Sequence, residues 1–575
     1  MKVEKKFSPM QRFIQLLAIE RREILYMYVY AFAAGLISLM LPLGIQSIIG
    51  FVSSGQVTVS VIVLISLIVL ALLIVGGLQV MQLWLVEFIQ QRLFARTASE
   101  FAYRVPRFQP EALLKYYPPE LMNRFFDVVT LQKGVAKILV DFSTAVIQII
   151  FGLILLSFYH PYFIFFGLIL VVVLVAIIWL TGEKGIETSI KESKYKYKLV
   201  AWLEEMARSL STFKLVGHTN LPMDRTNYYV KNYLDVRRKH FSILMTQYYS
   251  FVGFKTFITG GLLVLGCILV VQQEINIGQF VASEIIIILI MTAVEKIIIK
   301  LDTVYDVMTS LDKIGQVTDL PVEEIKGIKL DELDSDGGLS IEARNLTYRF
   351  HDSKKIALDN ITFSIKPSER VCLAGFNSSG KSTLINMLLG LLPSYEGVLA
   401  FNGVSMHDLH KGNLRSLIGD NISKEQVFDG TLLENVTLGR ELPMKDVLWA
   451  IELSGLQDFV YSQPDGIHAY LTGGSMRLPG SVARKIIMAR SLVQRPKLLI
   501  LDNLAGMARK EKMELLSMLT SPQFDWTMII VTNDRDVMEV CDRTLLLQNG
   551  RVVAFEAYDQ LKDLHILHEL TEVTV

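Results

Sequence analysis

Apolar residues are not spread evenly along this chain. In its N-terminal half they gather into six runs, at residues 24–51, 57–86, 138–158, 162–181, 244–271 and 278–299. Each run is long enough to cross the ~30 Å hydrocarbon layer of a bilayer as a helix. The connections between them alternate in character. Those at 53–59, 159–162 and 272–278 are short and contain no Lys or Arg. Those at about 87–136 and 182–243 are long and basic, carrying Arg92, Arg96, Arg104, Arg107, Lys194, Lys196, Lys198, Arg237, Arg238 and Lys239. Because Lys and Arg accumulate on the cytoplasmic side of membrane proteins, both long connections and both termini are expected in the cytoplasm. Six buried helices of a soluble protein would leave this asymmetry without a cause. Residues 199–215 and 227–242 keep helical apolar spacing with charges between, so membrane helices are expected to continue into the cytoplasm. Turns that touch another domain are expected at 120–136 and 217–224.

The flanking segments differ. Residues 1–23 alternate Lys and Arg with apolar positions, the pattern of an amphipathic helix lying on the membrane before the first span. They do not match a cleavable signal peptide. Residues 303–338 turn acidic and Gly-containing, as expected of a linker. From 339 to 575 short apolar runs alternate with helical segments, a soluble α/β domain. The expected fold class is therefore multidomain: an all-α six-helix transmembrane domain with cytoplasmic extensions at 24–302, fused to an α/β domain.

Composition sharpens this division. Hydrophobic residues make up 51% of the chain and the mean hydropathy is +0.39, too apolar for an ordinary soluble protein. The net charge is zero, so there is no overall basic field to attract nucleic acid. The three cysteines, Cys267, Cys372 and Cys541, are far apart with no C-x-x-C spacing. Disulfide scaffolds, zinc sites and thiol catalysis are unsupported, and buried reduced thiols are expected. A few charges fall inside the spans: Lys255 in the fifth, Glu284 and Glu295 in the sixth. An uncompensated charge at mid-membrane costs at least about 2.5–3.5 kcal/mol. Counted from the turn near Glu274, Lys255 and Glu295 lie at similar depth and Glu284 nearer the outside. Lys255 either pairs with Glu295, or both snorkel independently to the cytoplasmic headgroups, helped by Lys296. Glu284 is expected to face an aqueous cavity.

The sharpest chemical signal is Gly375-Phe-Asn-Ser-Ser-Gly-Lys-Ser-Thr383, a G-x-x-x-x-G-K-[S/T] phosphate loop. A buried strand is expected before it, from Arg370 to Ala374, and a helix after it, from Leu384. Gly375 and Gly380 allow the backbone N–H groups to converge, and a helix N-terminus adds its dipole. Gly375, Asn377, Ser378, Ser379, Gly380, Lys381, Ser382 and Thr383 form the expected cradle. Lys381 reaches the β/γ-phosphates and Ser382 ligates Mg²⁺. A second apolar strand ends in Asp502, placed to hold Mg²⁺ through water.

With these motifs, Gly430-Thr-Leu-Leu-Glu-Asn-Val436 and Ala489-Arg-Ser-Leu492, essentially the whole chain resembles an ATP-binding-cassette half-transporter. The membrane half is similar to bacterial exporters, particularly those secreting proteins and peptides. Asn276-Ile-Gly-Gln-Phe-Val-Ala282 and the stretch 202–217 carry this narrower likeness. The N-terminal peptidase or peptidase-like domain of many such exporters is expected to be lacking. The resemblance implies ATP and Mg²⁺ as cofactors, with Phe350 stacking on adenine. It also marks departures. The catalytic Glu position holds Asn503, which orients water but cannot take its proton. The switch His position holds Asn533. The Mg²⁺-sensing Gln falls on Ser423, a doubtful ligand beside Ser382 and Asp502. The signature reads Leu478, Pro479, Gly480, Ser481, Val482, where Pro479 lacks a hydroxyl and an N–H and Ser481 crowds the phosphate approach. The D-loop Asp position falls on Arg509. ATP–Mg²⁺ binding is expected to survive with intrinsic hydrolysis weak or absent, because binding and chemistry use separable contacts.

The expected setting is a bacterial cytoplasmic (inner) membrane. The expected partner is another half-transporter, in a homodimer or heterodimer, with a membrane-fusion adaptor as a further candidate. Two functions stay open: an exporter subunit, with peptide or protein cargo favoured, or a non-hydrolysing regulatory or scaffold subunit of a secretion assembly.

Overall fold

The computed structural model describes residues 7–55, 59–114, 116–332, 337–350, 353, 355–421, 427–472, 478–502 and 507–572. The chain divides into two compact units, one of Met1–Phe108 with Ala112–Val322, the other of Gln109–Glu111 with Glu323–Val575. The segments at 120–136 and 217–224, expected to reach another domain, both fall in the first unit.

The first unit is helical. Among the described residues, six helical segments are long and apolar enough to cross a membrane: Arg21–Ser53, Val59–Arg107, Pro118–Ser157, Tyr162–Arg208, Leu221–Val271 and Ile277–Thr318. Tyr162–Arg208 and Leu221–Val271 are unbroken helices of 47 and 51 residues. At 1.5 Å per residue they are roughly 70–75 Å long, more than twice the hydrocarbon thickness, so the expected extensions are present. A π-helical turn, Ile138–Phe142, interrupts the third span. The sixth span starts with a capping box in which Asn276 and Gln279 satisfy each other's backbone N–H groups, worth about 1 kcal/mol at such an end.

The structure corrects two boundary expectations in this unit. The segment read as linker from Thr303 is helical over Leu301–Thr318. Tyr305, Val307, Met308, Leu311 and Val317 are buried there, because their apolar stripe recurs at helical spacing between the acidic residues. The N-terminal helix, Pro9–Ile19, packs on Leu301–Thr318 through an Arg12–Asp319 ion pair. Its other edge leaves Met10 and Ile14 exposed. Cys267 is exposed rather than buried.

Within the spans, Lys255 Nζ lies 2.8 Å from Glu295 Oε2. Pairing, not independent snorkelling, is what the packing produces. Below the spans, His240 is enclosed between Thr188 at 2.9 Å and Asp302 at 3.2 Å.

The second unit is α/β. Its strands are β1 Ile341–Arg349, β2 Ile356–Ile365, β3 Arg370–Gly375, β4 Glu396–Phe401, β5 Val404–Ser405, β6 Ile418–Asp420, β7 Gly430–Thr431, β8 Tyr470–Leu471, β9 Leu498–Leu501, β10 Thr527–Val531, β11 Arg543–Gln548 and β12 Arg551–Glu556. One sheet has the order β12-β11-β3-β10-β9-β6, another β2-β1-β4-β5. β3 pairs in parallel with β10 and β11, and β9 with β10 and β6. Alternate positions of these central strands feed two cores. Cys372, Leu499, Leu501, Met528 and Ile530 enter one, while Val371, Leu373, Leu498, Ile500 and Ile529 enter the other. Burial on both faces is why these strands are continuous apolar runs in the sequence.

Candidate functional site

The site grows from β3. Its last residue, Gly375, has φ +152°, and a Cβ there would come 2.3 Å from Leu547 O and 2.7 Å from Ser379 Oγ. The loop ends at Gly380, φ +108°, where a Cβ would meet Ala357 O at 2.9 Å. Only glycine meets both the dihedral and the space requirement at these two points. The helix Lys381–Leu388 follows directly, with Gly380 as its N-cap. Strand, loop and helix N-terminus therefore stand in the order the motif requires.

A pocket of about 470 Å³ opens over this loop, lined among others by Phe350, Ser353, Lys355, Ala357, Asn549 and Gly550. The loop side is Asn377, Ser378, Ser379, Gly380, Lys381, Ser382 and Thr383. Phe350 is half-buried and packs edge-on to Tyr348, with ring centroids 5.0 Å apart at 89°. Burial pushes the Tyr348 phenol up to about 12, so it stays neutral behind the Phe350 ring.

Lys381 Nζ donates to Gly375 O at 2.6 Å and Phe376 O at 2.9 Å. Burial pushes its pKa down, and the Asp502 carboxylate works against that shift. Asp502 follows β9, and its N–H donates to Asn421 Oδ1 at 2.6 Å. The loop thus holds a half-buried cation with a carboxylate close enough to act on it. Ser379 Oγ is buried without a hydrogen-bond partner. A buried hydroxyl left unpaired costs about 1–3 kcal/mol, which a ligand oxygen would relieve. Convergent loop N–H groups, the Lys381 ammonium and this hydroxyl suit a phosphate chain. Ser382 and Asp502 supply the oxygens a divalent cation prefers.

Asn533 sits elsewhere than water-orienting chemistry would require. Gly375 N–H donates to Asn533 Oδ1 at 3.0 Å, and Asn533 Nδ2 donates back to Gly375 O at 3.2 Å. This two-way clasp needs a donor and an acceptor on one planar group, which a carboxamide has and an imidazole does not. The next turn is also tied down. Asp534 pairs with Lys512, and Arg509 reaches Asp536 at 2.6 Å. Arg509 begins the helix Arg509–Leu519 and does not line the pocket.

The signature residues lie away from the loop pocket of this chain. Pro479 is the N-cap of the helix Gly480–Leu492, and its carbonyl accepts from Val482 N and Ala483 N at 2.9 and 3.1 Å. Leu478 and Val482 pack against the core, while Gly480 and Ser481 are exposed. Asn503 and Ser423 lie outside the described residues.

Sequence reasoning missed three contributors. Asn549-Gly550 forms the tight turn between β11 and β12, with φ +48° and +80°. Gly550 N–H donates to Ser379 O at 2.9 Å, so this hairpin braces the loop. An Asn-Gly pair between apolar runs is a readable turn signal, but its docking on the loop is not local information. Ser353 to Ala357, around the β1–β2 connection, and Asn421 behind Asp502 carry no motif.

Comparison with known proteins agrees with this geometry. A model described as the ABC transporter family matches residues 358–505, and one described as the ABC transporter transmembrane region matches residues 24–294. The chain belongs to the ATP-binding-cassette transporter family. Its six spans and single cassette are the half-transporter arrangement, in an integral membrane protein. The chain is similar to the ATP-dependent lipid A-core flippase of Burkholderia orbicola, 27% identical over 291 residues, or 50% of this chain and 49% of the flippase. It is 27% identical over 296 residues to the alpha-hemolysin translocation ATP-binding protein HlyB of Escherichia coli, covering 50% of this chain and 41% of HlyB. A putative export ATP-binding/permease protein of Rickettsia bellii is 22% identical over 427 residues, 73% of this chain and 74% of that protein. The chain spans about half the length of the first two relatives it matches. In fold it is similar to a bacterial Atm1-family ABC exporter solved with ATP bound, with TM-score 0.83, 16% identity, and coverage of 96% of this chain and 98% of that one.

Proposed function

We propose that this chain is one half of an ATP-dependent exporter whose cassette binds ATP–Mg²⁺ and hydrolyses it weakly or not at all. The carrying observation is the loop pocket, with a half-buried Lys381 and a buried, unpartnered Ser379 Oγ beneath it. Phe350 at the pocket edge offers an aromatic face for adenine. Ser382 and Asp502 are the metal-side oxygens, and bound Mg²⁺ would supply charge neutralisation to the phosphates. Lys381 would exchange two carbonyl partners for phosphate oxygens, a stronger charge-assisted bond.

Weak hydrolysis is supported by what surrounds the loop. The amide of Asn533 is engaged with Gly375 rather than free to act on a water. Asn503 has no basic oxygen for the proton that a Glu would take. Loss of a general base typically costs 10²–10⁴-fold. In this reading the chain pairs with itself or with a second half-transporter, in a bacterial inner membrane with both termini cytoplasmic. A peptide or protein cargo and an adaptor partner follow the likeness to HlyB. The Asn533 clasp equally favours a second reading, a non-hydrolysing regulatory or scaffold subunit of a secretion assembly.

Nucleotide binding and turnover of the purified chain test this. Mg²⁺-dependent ATP binding is expected, with hydrolysis no more than about a hundredth of an intact cassette's rate. Absence of binding, or hydrolysis at the rate of an intact cassette, would overturn the proposal. Cargo movement in vesicles holding this chain and a partner with intact motifs separates exporter from scaffold.

A further inference from the structure

The sixth span is the most enclosed of the set. Half of its apolar window is buried within the chain, against 17–33% for the other five. What remains uncovered is therefore narrow. Val281, Glu284, Ile288, Thr292, Glu295 and Ile299 are half-buried or exposed, while Ile286, Ile287, Ile290, Met291, Val294 and Ile298 are buried. The uncovered positions recur every three or four residues, so they form one stripe along the helix.

That stripe holds both carboxylates of the span, and the fold treats them differently. Glu295 is met by Lys255 at 2.8 Å. Glu284 has no hydrogen bond or ion pair among the described residues, and its Oε1 is buried without a partner. The helix midpoint is Ile288, so Glu284 lies about 6 Å from the centre on the outer side and Glu295 about 10 Å on the cytoplasmic side. Facing acyl chains there, a carboxylate would cost several kcal/mol. Intramembrane acids accordingly face bundle interiors or aqueous paths and mark the groups that pass. Its neighbours along the stripe, Val281 and Ile288, are aliphatic, which favours an apolar body, and the unanswered charge is negative.

We propose that Glu284 is a recognition point for the positive charge of a cargo with an apolar body, while Lys255 masks Glu295 and leaves a single free negative charge on this face. The inference rests on the reading of the membrane half as a transport path. It adds the chemical class of what that path takes: a cation on a hydrophobic body, in preference to an anion or a neutral molecule of the same shape.

Tetraphenylphosphonium and tetraphenylborate share a shape and differ in sign, so they are the probes. Their equilibrium binding to the detergent-purified full chain is measured with ATP binding to the same sample. The chain is expected to prefer the phosphonium. Glu284→Gln is expected to lower phosphonium affinity about tenfold or more and to leave borate binding unchanged, while Glu295→Gln changes phosphonium affinity less than about threefold. Equal phosphonium affinity in Glu284→Gln and parent, or a preference for borate, overturns the proposal. Should Glu284→Gln fail to fold, dicyclohexylcarbodiimide labelling of the parent chain decides. Label on Glu284, slowed by phosphonium and not by borate, supports the site; label on Glu295 alone, or no protection, sinks it. Loss of ATP binding with phosphonium selectivity intact would refute the cassette reading and spare this one.

Discussion

The Lys255–Glu295 pair permits a quantitative test. The two side chains meet through one 2.8 Å contact between the fifth and sixth spans, and remain 42% and 28% exposed. Glu295 lies about 10 Å from the midpoint of a hydrocarbon layer whose half-thickness is about 15 Å. The mid-membrane cost of a lone charge, about 2.5–3.5 kcal/mol, therefore falls to about 1–2 kcal/mol at this depth. Interhelical hydrogen bonds in membranes average about 0.6 kcal/mol and reach about 1.7. Exposed ion pairs contribute about 0.2–1 kcal/mol. A single charge-assisted contact in this partly open setting should couple the residues by about 1 kcal/mol. Lys255→Met and Glu295→Gln, alone and together, complete the cycle. Equilibrium unfolding of the purified chain by dodecyl sulfate in mixed micelles supplies the free energies. Lys255→Met should be the more damaging single change, because it strands a carboxylate, and the double variant should recover about 1 kcal/mol relative to the sum. Coupling below about 0.3 kcal/mol would mean that the two charges snorkel separately and that their proximity stores no energy.

Other expectations concern the cassette. Lys381→Ala removes the ammonium of the loop and should abolish tight ATP binding, checked by nucleotide titration; parental affinity would contradict the site. Asn533→Ala leaves the buried Gly375 N–H without its partner and should cost about 1–3 kcal/mol of cassette stability, visible as a lower unfolding midpoint that ATP partly restores. Asn503→Glu should raise hydrolysis by the chain alone only slightly, because groups that act as a unit are strongly non-additive; a large gain would identify Asn503 as the sole defect.

Much of this protein is written locally. The six spans, their cytoplasmic continuation and the phosphate loop were all legible, because hydrophobic runs and G-x-x-x-x-G-K-S are properties of consecutive residues. The bilayer forces any run of that length and apolarity into a helix, whatever packs against it. Residues 301–318 were harder, since acidic residues obscured an apolar stripe that only its neighbours make meaningful. What tertiary structure alone decided are pairings between distant segments. Asn533 reads as a substituted catalytic position, yet it becomes a clasp on Gly375 because β10 lies beside β3 in the sheet. Asn549-Gly550 reads as a turn, but it braces Ser379 only because β11 lies on the other side of β3. Lys255 acquired Glu295 as a partner because the two spans meet as a hairpin. Glu284, on the same helix, was left with none. The composition of a helix states which charges it carries, and packing decides which of them are answered.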